Sequence, residues 1–148
     1  MFPGAWVCTD EVWCCMQKKE KTILFVDDDS DFLQYVSDSI QKSGYRVLTK
    51  TDGHAALSLL DDGVAVDLVI TDHVMPGMNG LKFIAEVRKR LRSVPIVLLT
   101  ACADVENYFR ALDLGVYEVT CKPINMRTLQ VIANAAIETG AGITREMD

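Results

Sequence analysis

Five short strand-like runs, each followed by a stretch of helical periodicity, constrain this chain more than any other feature. "TILFV" (22–26), "VDLVIT" (66–71) and "PIVLLT" (95–100) are almost continuously apolar and of strand length. A strand with one face in water alternates apolar and polar residues, whereas a parallel strand covered by helices on both faces reads as an unbroken apolar run. "YRVLTK" (45–50) and "VYEVTC" (116–121) read as two further strands of more mixed character. Helical patterns follow each strand. The first starts at Ser30 and runs through Phe32, Leu33, Val36 and Ile40; the next are "HAALSLLDDG" (54–63) and "LKFIAEVRKRL" (81–91). "ADVENYFRALDLG" (103–115) and "NMRTLQVIANAAIE" (125–138) complete the set. Ser30 stands where an N-cap belongs and Gly44 where a left-handed C-cap belongs. Strict alternation of this kind predicts an α/β domain, a doubly wound five-stranded parallel sheet with five helices on its two faces.

In such a sheet, ligands bind beyond the carboxyl ends of the strands, where the strand order reverses. Residues immediately after each strand therefore converge, however far apart they are in sequence. Asp27 and Asp28 follow the first strand and Asp72 the third, Thr100 ends the fourth, and Lys122 with Pro123 follows the fifth. Three carboxylates, a hydroxyl and an ammonium are thus expected along one rim. Each taken singly has an ordinary reading: Asp27–Asp29 a solvated turn with a helix cap, Asp72 a loop residue, Thr100 a strand terminator. Arrival of all five at strand ends favours a shared site.

"VDDDSDFL", "VITDHVMPGMNG", "IVLLTA" and "CKP" together resemble the receiver domain of two-component response regulators, from about Lys21 to about Glu138. The resemblance implies a flavodoxin-like (CheY-like) sheet of strand order 2-1-3-4-5. It implies that Asp72 is the phosphoacceptor and that Asp28, Asp72 and the backbone carbonyl of Val74 bind Mg²⁺, with Asp27 acting through a bound water. Lys122 and the Thr100 hydroxyl would contact phosphoryl oxygens, and Lys122–Pro123 is expected to be cis. Elementary electrostatics points the same way. Two unit charges ~4 Å apart interact by about 4 kcal/mol at an effective dielectric near 20, so three crowded carboxylates raise a pKa or recruit a cation. Hard oxygen ligands with room for water suit Mg²⁺; its charge, three aspartates and Lys122 sum to zero.

The function implied is that of a single-domain response regulator that takes a phosphoryl group from a sensor histidine kinase or a histidine phosphotransfer protein. It would then switch a surface for a downstream protein, formed by helix 103–114, strand 116–121 and helix 125–138. It would be no enzyme beyond catalysing its own phosphorylation and dephosphorylation. Two alternatives stand beside this: a receiver-like binding module that works without phosphate, and a haloacid-dehalogenase-type phosphatase with Asp27 as nucleophile.

Composition narrows the classes. The 148 residues suit one domain, and a formal net charge of −6 argues against nucleic acid and anionic membrane as partners. No apolar run approaches the ~20 residues of a membrane-spanning helix. Five cysteines without a C-x-x-C spacing suggest reduced thiols and a cytoplasmic setting. Residues 1–20, with two tryptophans and three cysteines, read as a poorly ordered extension (Met16 being a second candidate first residue) or as a redox or partner-binding tail. Residues 21–138 are the domain and 139–148 a C-terminal tail. Asp29 and Asp31 read as first-turn charges that favour the helix dipole. His54 and His73 read as solvated loop histidines, and Cys102 and Cys121 as packing residues near the site's edge.

One position departs from the family pattern. Receivers usually carry Tyr or Phe three residues before the lysine, and here that residue is Val119. Tyr117, two residues earlier and by strand alternation on the same side, is a partial substitute or a surface ring. Valine is too small to report a switch by swinging in and out. A phosphoryl mimic is therefore expected to move helix 103–114 and strand 116–121 less than in aromatic-bearing relatives, and a large backbone displacement there would contradict this.

Overall fold

Each apolar run feeds two cores at once. In a computed structural model of the protein, which describes residues 21–101 and 105–147, the strands are β1 (Thr22–Val26), β2 (Arg46–Lys50), β3 (Leu68–Asp72), β4 (Ile96–Thr100) and β5 (Glu118–Cys121). They pair in parallel in the order β2-β1-β3-β4-β5, as expected of this class. Because successive side chains point to opposite faces, Ile23, Phe25, Leu68, Ile70, Val97 and Leu99 enter one core while Leu24, Val26, Val69, Ile96 and Leu98 enter the other. β1, β3 and β4 are buried along their whole length, whereas the edge strands β2 and β5 keep exposed residues. That accounts for the mixed character of their sequences.

The helices are α1 (Ser30–Gln41), α2 (Gly53–Asp61), α3 (Gly80–Arg90), α4 (Val105–Asp113) and α5 (Met126–Met147). α1 and α5 close the first core with Leu33, Val36, Ile40, Leu129, Ala133 and Ala136. The second core is closed by α2, α3 and α4 through Leu57, Leu60, Phe83, Ile84, Val87 and Ala111. Helical spacing of these residues is what gives each helix a single apolar face.

The boundaries differ from expectation in instructive places. Asp29, not Ser30, caps α1: its backbone is extended and its carboxylate accepts from the N–H groups of Asp31 and Phe32, both at 3.1 Å. A carboxylate there also meets the positive end of the helix dipole, an advantage over a neutral hydroxyl. β3 runs through Asp72 instead of stopping at Thr71, because Asp72 keeps its register with Leu99. The final helix runs to Met147 rather than ending at residue 138, so most of the expected tail is helical. Glycines at 140 and 142 cost helix about 1 kcal/mol each but, unlike proline, remove no donor. Gly44 has φ +95, as its place after α1 requires. Expectations for residues 1–20 and for Cys102 lie outside the described residues.

At the end of the sheet away from the strands' carboxyl termini, Arg88 joins three elements. Its guanidinium donates to the carbonyls of Leu91 (3.3 Å), Val94 (2.6 Å), Leu114 (3.0 Å) and Gly115 (2.6 Å). These are carbonyls at the ends of α3 and α4 and just before β4, where helix termini leave acceptors unsatisfied. Bonds to a charged donor are worth about 1.5–3 kcal/mol each, and stranding several acceptors compounds the loss. Arg88→Met is therefore expected to lower unfolding free energy by about 2–4 kcal/mol, read as a lower denaturant midpoint with an unchanged slope. A loss under about 0.5 kcal/mol would mean that water replaces the clamp.

Candidate functional site

The candidate site forms where the buried strands end. The Asp27 N–H donates to the Lys50 carbonyl at 3.1 Å, carrying the β1–β2 ladder one residue beyond β1. Asp72 and Thr100 are the last residues of β3 and β4, and both are buried. Lys122 is held beside Thr100 by its own N–H, which donates to the Thr100 carbonyl at 2.8 Å, and the Lys122–Pro123 peptide is cis. Main-chain pairing thus delivers four of the expected side chains to one rim.

Their charged ends meet. Lys122 Nζ lies 2.7 Å from Asp27 Oδ2 and 3.4 Å from Asp72 Oδ2. The other oxygens are also engaged: Asp27 Oδ1 accepts from the Asp29 N–H at 2.9 Å, and Asp72 Oδ1 from the His73 N–H at 2.8 Å. Asp27 is only 1% exposed, while Asp28 next to it is open to solvent. One carboxylate oxygen from each of Asp27, Asp28 and Asp72 lies within 4.8 Å of the others. Three hard oxygen donors at this spacing, one facing water, fit an ion such as Mg²⁺ that keeps part of its hydration shell.

Two ionisations are displaced by this crowding. Burial, and then the charge of Asp27, push the Asp72 carboxyl above the usual range; Lys122 and the His73 N–H pull it down but do not prevail. For Lys122, burial disfavours the ammonium, yet its hydrogen bond to Asp27 and the charges of Asp27 and Asp72 together hold it above the ordinary lysine value. The site therefore keeps its cation firmly, and its three carboxylates outnumber that one ammonium by two charges.

The loop after Asp72 is folded tightly against it. The Gly80 N–H donates to the His73 carbonyl at 2.6 Å, and a Cβ on Gly80 would lie 2.3 Å from the Asp72 carbonyl oxygen. Only glycine permits that approach. Asn79 caps α3 by accepting from the Lys82 N–H, and Met75 and Met78 are buried beneath the loop. The Val74 side chain is 70% exposed, so whatever this residue offers the site comes from its main chain.

Some expectations need correction. Tyr117 does not lie on the side of Val119: it precedes the first residue of β5 and packs against the core of α1 and α5, while Val119 packs against the opposite one. Alternation applies only within a strand, so Tyr117 is no substitute for the missing ring. Cys121 is a free, exposed thiol at the end of β5 and not a buried packing residue. His54 is exposed but lies in the first turn of α2 and not in a loop, and His73 is half-buried; neither belongs to the acidic group. One neighbour of the site escaped the sequence reading. The Phe32 ring lies under Lys122 Nζ, 4.7 Å from centroid to nitrogen. Helical periodicity marks Phe32 as apolar but carries no signal of a lysine ninety residues away.

A family model described as the response regulator receiver domain matches residues 23–134. The chain belongs to the response regulator receiver family. It is 36% identical over 107 residues to the transcriptional regulatory protein CpxR of Klebsiella pneumoniae, covering 72% of this chain and 45% of that protein. With the regulatory protein AtoC of Escherichia coli it shares 32% over 116 residues, or 78% of this chain and 25% of that one. The chain therefore spans between a quarter and a half of such relatives. Among solved structures, the chemotaxis protein CheY4 of Vibrio cholerae matches with a TM-score of 0.74 at 31% identity, over 79% of this chain and 98% of that one. A receiver domain protein from Clostridium thermocellum matches at 0.77 and 28%, over 83% and 98%. Receiver domains serve phosphorelay signalling and engage histidine kinases. No helix among the described residues of this receiver is long and apolar enough to cross a membrane.

Excess negative charge at the rim has a measurable consequence. In chelator, Asp72→Asn is expected to raise Tm by a few degrees, since a neutral amide avoids both the cost of burying a charge and the repulsion from Asp27 that together raise the carboxyl's pKa. Added Mg²⁺ should raise the wild-type Tm and leave the variant nearly unchanged, because a ligand stabilises only the state that binds it. A lower Tm for the variant in chelator would mean that the Lys122–Asp72 contact outweighs the repulsion.

Proposed function

We propose that Asp72 is phosphorylated and that the domain works as a phosphorylation-operated switch. The observation that carries this is Lys122 Nζ standing between Asp27 and Asp72, with the carboxylates of Asp27, Asp28 and Asp72 clustered beside it. An Asp72 carboxylate oxygen attacks the phosphorus in line. The new O–P bond forms as the donor's P–N or P–O bond breaks, and the imidazole or carboxylate of the donor leaves with the electron pair. Lys122 turns one of its protons to a phosphoryl oxygen, and the Thr100 hydroxyl donates to another. Asp28, Asp72 and the Val74 carbonyl would hold Mg²⁺, and Asp27 would support it from beside them. A divalent ion bound there would supply neutralisation of the charge that develops in phosphoryl transfer.

The phosphatase alternative is disfavoured by the surroundings of Asp27. Both of its oxygens are already engaged, and it is almost wholly enclosed. An attacking carboxylate needs a free lone pair facing the substrate, which Asp72 Oδ2 at 3.4 Å from the ammonium has more nearly than Asp27 does.

The donor is a phosphohistidine of a sensor kinase or a histidine phosphotransfer protein. Output passes to a protein through the face of α4, β5 and α5. Support for that face comes from Tyr108, Phe109 and Leu112 on α4 and Val131 on α5, large apolar side chains left exposed. A net charge of −6 makes these residues a poor match for nucleic acid.

Labelling with acetyl phosphate tests the reading. The wild type is expected to gain one phosphoryl group by intact mass in Mg²⁺ and none in chelator, and Asp72→Asn none in either. Label on Asp27 would favour the phosphatase alternative. Absence of label in the wild type, with no Mg²⁺-dependent rise in Tm, would favour a binding module that works without phosphate.

A further inference from the structure

Lys122 is supported by more than its carboxylates. Its Nζ sits 4.7 Å from the centroid of the Phe32 ring, within the ~6 Å over which a cation is drawn to an aromatic face. Phe32 is not simply a core residue. It is only partly buried, and its ring meets the fully buried Phe25 edge-to-face, with centroids 5.9 Å apart and an interplanar angle of 73°. Its main chain is fixed as well, since its N–H donates to the capping carboxylate of Asp29 at 3.1 Å. The cap thus sets the first turn of α1, Phe25 sets the ring, and the ring meets the ammonium.

We infer that Phe32 is a positioning residue for Lys122, holding the ammonium over the acidic rim by cation–π attraction. This rests on the phosphoacceptor reading of Asp72 for its consequence, though not for the contact itself. An aromatic face attracts a cation without accepting a strong hydrogen bond. The three N–H donors of Lys122 therefore stay available for oxygens, now those of Asp27 and Asp72 and later those of a phosphoryl group. The ring also screens the ammonium, whose side chain is 24% exposed, and exclusion of water strengthens its ion pairs. An aliphatic residue of similar size would fill the space but would let the lysine chain swing into solvent. Phe32 acts on the reaction only through Lys122.

The decisive experiment changes the ring's electrons and not its size. Stepwise fluorination of Phe32, by incorporating mono-, di- and trifluorophenylalanine, weakens the ring's negative face while leaving its packing almost intact. The acetyl phosphate labelling rate in Mg²⁺ is expected to fall with each fluorine. Phe32→Leu should lose about threefold to tenfold and Phe32→Tyr should stay near wild type. In chelator, the loss of Tm from Phe32→Leu should shrink when Lys122→Met is also present, because the coupling has then been removed. That second measurement needs no phosphorylation. If the wild type takes no label, the phosphoacceptor reading fails, and the Tm coupling still decides whether ring and lysine interact. Labelling indifferent to fluorination, or equal Tm losses with and without Lys122, would overturn the inference and make Phe32 a packing residue only.

Discussion

Three strands of this protein have no face in water, and that constraint organises everything else. With β1, β3 and β4 buried from end to end, a charged side chain within them would be cut off from solvent at a cost of several kcal/mol. Charge is therefore displaced to the strand ends. Because the strands are parallel, their carboxyl ends share one rim, and carboxylates from β1 and β3 are pressed together there whether or not they attract. The crowding is tolerated since each oxygen of the Asp27–Asp72 pair has a donor: a main-chain N–H on one side of each carboxylate and the Lys122 ammonium on the other.

The loops around that rim shape the helices and the candidate site with the same atoms. Asp29 accepts from the first turn of α1 with its side chain while giving its own N–H to Asp27. Gly80 begins α3 and, lacking a Cβ, lets the loop from His73 close on the Asp72 carbonyl. A change in either residue would therefore disturb helix and site together. The opposite end of the sheet is mechanical by comparison. There Arg88 gathers carbonyls from the ends of two helices, and Asp67 ties itself to Thr22 through a carboxylate–N–H bond of 2.8 Å. The candidate site and the anchorage occupy opposite ends of the same strands.

That Asp72, Thr100 and Lys122 would share one rim was legible because a parallel sheet makes a place at the end of a strand a statement about space as well as sequence. Relations that depend on how distant elements pack were not legible. Ser30 and Asp29 are both good caps on paper, and only the chain's path out of β1 selects Asp29. Tyr117 and Val119 share a parity that predicts a common side, yet the strand begins at Glu118 and the ring turns to the other core. Arg88 looks like any arginine in the last turn of an amphipathic helix until the ends of α3 and α4 come together around it.

By itself the sequence determined the kinds of elements, their order, the two-sided burial of the central strands and the identity of the residues at their ends. These follow from local periodicity, because the faces of a strand or helix repeat at a fixed interval along the chain. Only the tertiary structure decided that Asp27 is enclosed beneath Lys122 while Asp28 faces water, and that Phe32 lies under the same ammonium. Neighbouring aspartates are chemically identical and differ only in what packs on them, and that is settled by contacts between residues some ninety positions apart.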